Sequence, residues 1–239
     1  MESKEVMGSK KIIANIDSIY ERFNIPPNLI WHMKKVASVG ALICDNWNGG
    51  DSRLREIGVN KEDVVAFLLV HDLGNIIKFR FDTDLAKKMI GTTDEKIVHY
   101  WKNVRLEVIK KYGNNVGLAT LKMLSEIGVN GNVSDLIENM DFAKADIISK
   151  GNDWKLKICT CSDFRVGPFG VVSLKERIDD LRRRYQGQTF EGKESDFTIE
   201  RAEFLYKCYF DMENQVMKHC KITPEDINED SIRAYYEGF

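Results

Sequence analysis

The sequence predicts an all-α protein, and three observations support that expectation. Apolar residues recur at helical spacing along most of the chain. No stretch alternates apolar and polar residues between turn signals, the pattern a half-buried strand needs. Proline, which interrupts helices, occupies only 4 of 239 positions.

The elements follow in chain order. Pro26-Pro27 opens the helix that carries His32, because proline suits a first helical turn and not an interior. Trp47-Asn48-Gly49-Gly50-Asp51 reads as a loop. Asn60 is a cap for the stripe Val64, Phe67, Leu68 and His71, spaced i, i+3, i+4 and i+7. Thr92-x-x-Glu95 has capping-box spacing ahead of Ile97, Trp101, Val104 and Val108. Gly113-Asn114-Asn115 and Gly128 to Gly131 are loops. Leu156, Cys159 and Thr160 form a stripe with Asp163 at its i+7 position. Gly167-Pro168 breaks the chain, and Phe169-Gly170-Val171-Val172 is the best strand candidate. A second capping box, Ser173-x-x-Glu176, opens the stripe Leu174, Ile178, Leu181 and Tyr185. The segment 186–196, QGQTFEGKESD, is linker-like. Thr198 to Cys220 is long enough for about six helical turns. The expected organisation is one helical domain over residues 1–189, with a C-terminal helical extension, 190–239, packed on it. The four tryptophans, Trp31, Trp47, Trp101 and Trp154, read as core and pocket walls.

Lysine and arginine number 35 and aspartate and glutamate 37, a net charge of −2, so no global field recruits nucleic acid or an anionic membrane. A nucleic-acid groove would need a broader basic footprint with interleaved aromatics. The run Arg182-Arg183-Arg184 is better explained by pairing with Asp179 and Asp180. The longest apolar run in the middle of the chain, Val64 to Val70, is seven residues; a membrane span needs about 20. MESKEVMGSKK at the start has no apolar core behind its basic residues, so no signal peptide is expected. The cysteines (Cys44, Cys159, Cys161, Cys208, Cys220) are odd in number and scattered, which suits reduced thiols in the cytoplasm. Homo-oligomerisation is compatible with this composition.

Chemistry shows where ionisable groups stand in core positions. His71 completes an apolar stripe and Asp72 follows it. Asp163 ends the stripe of Leu156, Cys159 and Thr160. His32 lies between Leu29 at i−3 and Val36 at i+4. Separate helices therefore turn metal-capable groups inward. A buried unpaired carboxylate costs several kcal/mol, roughly, and a divalent cation is the common partner. Singly, each feature has a plainer reading as a hydrogen-bonded core histidine or a packing ion pair.

Together, in this order, they resemble the HD-domain superfamily of metal-dependent phosphohydrolases. The three motifs are Leu29-Ile-Trp-His32-Met-Lys-Lys35-Val36-Ala37, Ala66-Phe-Leu-Leu-Val-His71-Asp72-Leu73-Gly74 and Ile158-Cys-Thr-Cys-Ser-Asp163-Phe-Arg165. The resemblance covers roughly residues 25–185 and implies an HD-like helical bundle. It implies His32, His71, Asp72 and Asp163 as ligands of one divalent transition metal: Mn, Fe, Co, Ni or Zn, with Mg less suited. Asp72 would also orient or deprotonate the attacking water. Many members have lysine three residues after the dipeptide aspartate; this chain has Asn75, and Lys78 is the nearest catalytic cation in its stead. Lys35, Arg165 and Arg177 are the expected substrate-binding cations. His99 is the only histidine between the dipeptide and Asp163 and falls opposite its helix's apolar stripe, so one metal is expected rather than two. Asp141 and Asp146 are the remaining candidates for a second ion. The implied function is hydrolysis of a small phosphorylated, nucleotide-like molecule. A non-catalytic metal- or nucleotide-binding regulatory module is the alternative. Oxygen chemistry at paired iron is disfavoured by the shortage of histidines.

Overall fold

Two helices that are buried on almost every face form the centre of the molecule. The computed structural model describes residues 7–81, 87–88, 90–129, 131–185 and 198–239. Its helices run α1 (Ser9–Ala14), α2 (Ile16–Arg22), α3 (Pro27–Asp45), α4 (Gly50–Glu56) and α5 (Lys61–Val70), then α6 (Glu95–Tyr112) and α7 (Val116–Glu126). They continue with α8 (Asn132–Asn139), α9 (Ala145–Lys150), α10 (Trp154–Phe164), α11 (Leu174–Tyr185), α12 (Ile199–Met217) and α13 (Glu229–Tyr236). The fold is all-α. The strand expected around residue 170 is two residues long: β2 (Gly170–Val171) pairs antiparallel with β1 (Val166–Gly167).

α3 and α5 are the central pair. Pro27 starts α3 within its first turn, and the helix buries Leu29, Met33 and every residue from Lys35 to Cys44. The Asn60 side chain caps α5 by accepting from the amides of Glu62 and Asp63, after which Val64 to Val70 are buried without interruption. α10 packs across both. Gly40 sits at the junction of the three. A methyl group built on it would lie 2.5 Å from Leu68 Cδ1, 3.2 Å from Val64 Cγ1 and 3.4 Å from Ser162 Oγ. A valine at position 40 therefore overfills a closed space. Gly40→Val is expected to lower stability by about 1–3 kcal/mol, read as an earlier urea midpoint. An unchanged midpoint would show slack between the helices.

Capping explains most of the other boundaries. The Ser173–Glu176 box forms as expected, and Thr198 caps α12 by accepting from the Arg201 amide. The expected box at Thr92 does not form. Asp94 caps α6 by accepting from the Lys96 amide, while Thr92 Oγ1 accepts from Asp94. An aspartate one residue before the helix outcompetes a more distant threonine. The stripe of α6 is correspondingly shifted: Val98, Trp101, Val108 and Tyr112 are buried, whereas Ile97 is 43% exposed. The loop expected at Trp47–Asp51 ends early, since α4 begins at Gly50. On the surface, Arg182 pairs with Asp179 and Glu203. The Arg184 and Tyr185 side chains and the linker-like segment 186–196 lie outside the described residues, as does the domain boundary placed at residue 189.

The C-terminal helices are part of the main core. α12 buries Leu205, Tyr206, Cys208, Tyr209, Met212 and Val216 against the bundle, and α13 packs on α3. Arg165, 4% exposed, binds the Glu213 carboxylate at 3.0 Å and donates to the carbonyls of Pro224 and Ile227, each at 2.8 Å. Lys35 pairs with Glu229, which also accepts from the Val171 amide at 2.8 Å. Trp47 is fully buried and Trp101 nearly so. No helix among the described residues is long and apolar enough to cross a membrane. All five cysteines are free thiols. Burial pushes Cys44 and Cys220 up to about 12 and also holds Cys159 and Cys161 well above the ordinary thiol value, so these thiols stay protonated.

Candidate metal centre

Three helices, with the turn that ends one of them, bring four side chains close together. His32 lies in the second turn of α3, His71 is the C-terminal cap of α5, Asp72 begins the turn that follows, and Asp163 occupies the last turn of α10. Ligand atoms of His32, His71 and Asp72 all lie within 4.8 Å of one another. Asp163 Oδ1 adds contacts to both rings, 3.1 Å from His32 Nε2 and 3.4 Å from His71 Nε2. Asp72 Oδ2 is 3.8 Å from each of the same two nitrogens. Ligands bound about 2.1 Å from one ion stand roughly 3–3.5 Å apart. The four distances from the two imidazole nitrogens to the two carboxylates are close to that range; Asp163 meets both rings but is not part of the mutually close group of His32, His71 and Asp72.

The local backbone fixes which atoms face inward. His71 Nδ1–H donates to the Leu68 carbonyl at 2.7 Å, three residues back on α5. A free carbonyl at that place is a consequence of helix termination. With the proton committed to Nδ1, the Nε2 lone pair points into the cluster. That atom is buried and has no hydrogen-bond partner among the described residues. A donor set of two imidazoles and two carboxylates, with one imidazole nitrogen left unpaired, fits a divalent ion. The turn after His71 is itself pinned. Gly74 N donates to Thr120 Oγ1 at 3.1 Å, and a Cβ at Gly74 would meet the Val116 carbonyl at 2.8 Å. Only glycine lets this turn seat against α7.

The charges shape one another. Burial lowers the affinity of His71 for a proton, but the charges of Asp72 and Asp163 outweigh it, and His71 is pushed up to about 9. Burial opposes ionisation of Asp163, yet the hydrogen bond with His32 and the neighbouring His71 imidazole hold its carboxyl well below the usual range. The pH dependence of the metal-free protein follows. An unfolded imidazole titrates at 6.5, so the contribution of His71 is complete below that pH and lost as pH rises through about 9. The loss is on the order of 3 kcal/mol. Chelated wild-type protein is expected to melt at lower temperature at pH 9.5 than at pH 6.5. His71→Gln should flatten that slope, and an unaltered slope would place the titration elsewhere.

The remaining candidates have other partners. Lys35 and Arg165, the expected substrate cations, correct to internal roles. Lys35 is 8% exposed, paired with Glu229, and lies 4.9 Å over the Trp31 ring and 5.5 Å from that of Tyr236. Arg165 is spent on Glu213 and two carbonyls. Arg177 is 3.6 Å from Asp180 and 5.9 Å from the Phe164 ring centre, beside the helix that ends at Asp163. Lys78 is exposed at the end of the short helix Asn75–Lys78. His99 is exposed on α6. Asp141 caps the Phe142–Lys144 turn and Asp146 pairs with Arg201 at 3.2 Å, so both serve local structure. Tyr209 escaped sequence reasoning. It stacks 3.6 Å from Phe164, and burial together with the Asp163 charge raises its phenol far above the ordinary value. Comparison of the chain with protein-family models, curated proteins and solved structures gives no match.

Proposed function

We infer that His32, His71, Asp72 and Asp163 bind one divalent transition metal, and that the protein is a metal-dependent phosphohydrolase of HD type. The observation that carries this reading is the close group of His32, His71 and Asp72, with the Asp163 carboxylate lying against both imidazoles. Mixed nitrogen and oxygen ligands suit Mn, Fe, Co, Ni and Zn, and Mg less. Such an ion, when bound, lowers the pKa of a water and neutralises charge on a phosphoryl group.

The protein's own residues supply the rest. Asp72 turns Oδ2 towards the imidazoles and Asn75, and its other oxygen is the one to orient a water or take its proton. Lys78, solvent-exposed, is the cation assigned to a small phosphorylated, nucleotide-like substrate, with Arg177, itself paired with Asp180, beside the helix that carries Asp163. Free thiols suit a cytoplasmic location. The engagement of Lys35 and Arg165 in internal pairs favours a second reading, a non-catalytic metal- or nucleotide-binding regulatory module. Purified protein with added Mn, Co or Ni, assayed against nucleotides and a generic phosphoester, separates the two. Metal-dependent phosphate release supports the hydrolase. A folded, metal-loaded protein silent across the panel supports the module.

A further inference from the structure

Asn75 has one amide with two unlike arms in unlike surroundings. Its Nδ2 donates to Asp72 Oδ2 at 2.7 Å. The arms cannot exchange places, because the amide oxygen would then face a carboxylate oxygen, lone pair against lone pair. Oδ1 is therefore turned away from Asp72. There it is shut off from solvent and has no hydrogen-bond partner among the described residues. His71 Nε2, which faces the cluster, is likewise a buried atom without a hydrogen-bond partner among the described residues. A buried amide oxygen without a donor is costly, so a donor belongs there.

We propose that Asn75 is a positioning residue of the metal centre. Its N–H arm holds the Asp72 carboxylate in place as a ligand, and its C=O arm accepts a hydrogen bond from a water at the centre. This rests on the metal-centre reading and extends it. A carbonyl attracts an O–H and repels a phosphate oxygen, so Asn75 marks the side on which water sits.

The test is calorimetric titration of Mn²⁺ into chelated full-length protein, together with water-proton relaxation of the Mn²⁺ complex. Asn75→Leu keeps the forked shape of the side chain and removes both polar arms. It is expected to bind Mn²⁺ about 10–100-fold more weakly and to show a lower relaxation enhancement, with the metal-free melting temperature unchanged. If the leucine variant does not fold, Asn75→Ala serves with the same expectation. Unchanged affinity and relaxation in a variant, with wild type binding normally, overturns this inference alone. Unchanged affinity with a lower metal-free melting temperature assigns Asn75 to packing and also overturns it. Failure of the wild type to bind Mn²⁺ overturns this inference and the metal-centre reading together.

Discussion

Asp72→Ala is expected to abolish metal-dependent phosphate release and to lower metal affinity by well over 100-fold, beyond the roughly 10–100-fold that loss of an outer contact costs. The side chain sits in the turn after α5, with Oδ2 3.8 Å from both Nε2 atoms. Its removal leaves two imidazoles and one carboxylate, and takes away the group placed to handle the water's proton. The variant should fold, because the Asp72 side chain is 21% exposed and its truncation opens no closed core space. Metal content and phosphate release, measured on the same preparation, should fall together. An Asp72→Ala protein that keeps its metal and its activity would remove Asp72 from the site.

The largest expected effect on stability lies at Arg165. Its guanidinium links the end of α10 to Glu213 on α12 and to the carbonyls of Pro224 and Ile227 just before α13. Glu213 is 9% exposed, so truncating the arginine strands a buried carboxylate. Breaking a buried pair from one side typically costs about 3–5 kcal/mol. Arg165→Leu is expected to lose that much in denaturant unfolding. The double variant Arg165→Leu/Glu213→Leu should recover much of the loss, because no charge is then left unpaired. A double variant as unstable as the single one would place the cost in the two carbonyls instead.

The helices and the four inward-facing groups were legible because both depend on local pattern. The caps Asn60 and Ser173 and the first-turn Pro27 are properties of a few adjacent residues. His71 and Asp163 betrayed themselves by interrupting apolar stripes. The cations were misread because proximity in sequence is a poor guide to what a long side chain reaches. Lys35 and Arg165 flank ligand residues, yet their partners, Glu229 and Glu213, lie 194 and 48 positions away. Those contacts belong to the docking of α12 and α13, which no local pattern records. Asn75 was visible as a departure from a lysine pattern. Its bond to Asp72 is set by the geometry of the turn, which residue type alone does not reveal. Thr92 lost its capping role to Asp94 for a similar reason, since the two compete for one helix start.

The most direct test is anomalous diffraction from crystals of the purified protein grown with Mn²⁺ or Co²⁺. The expected result is one strong anomalous peak per chain, within bonding distance of His32 Nε2, His71 Nε2, Asp72 and Asp163. Crystals that contain the ion but show no peak between those four side chains, or show it on other residues, would contradict the assignment.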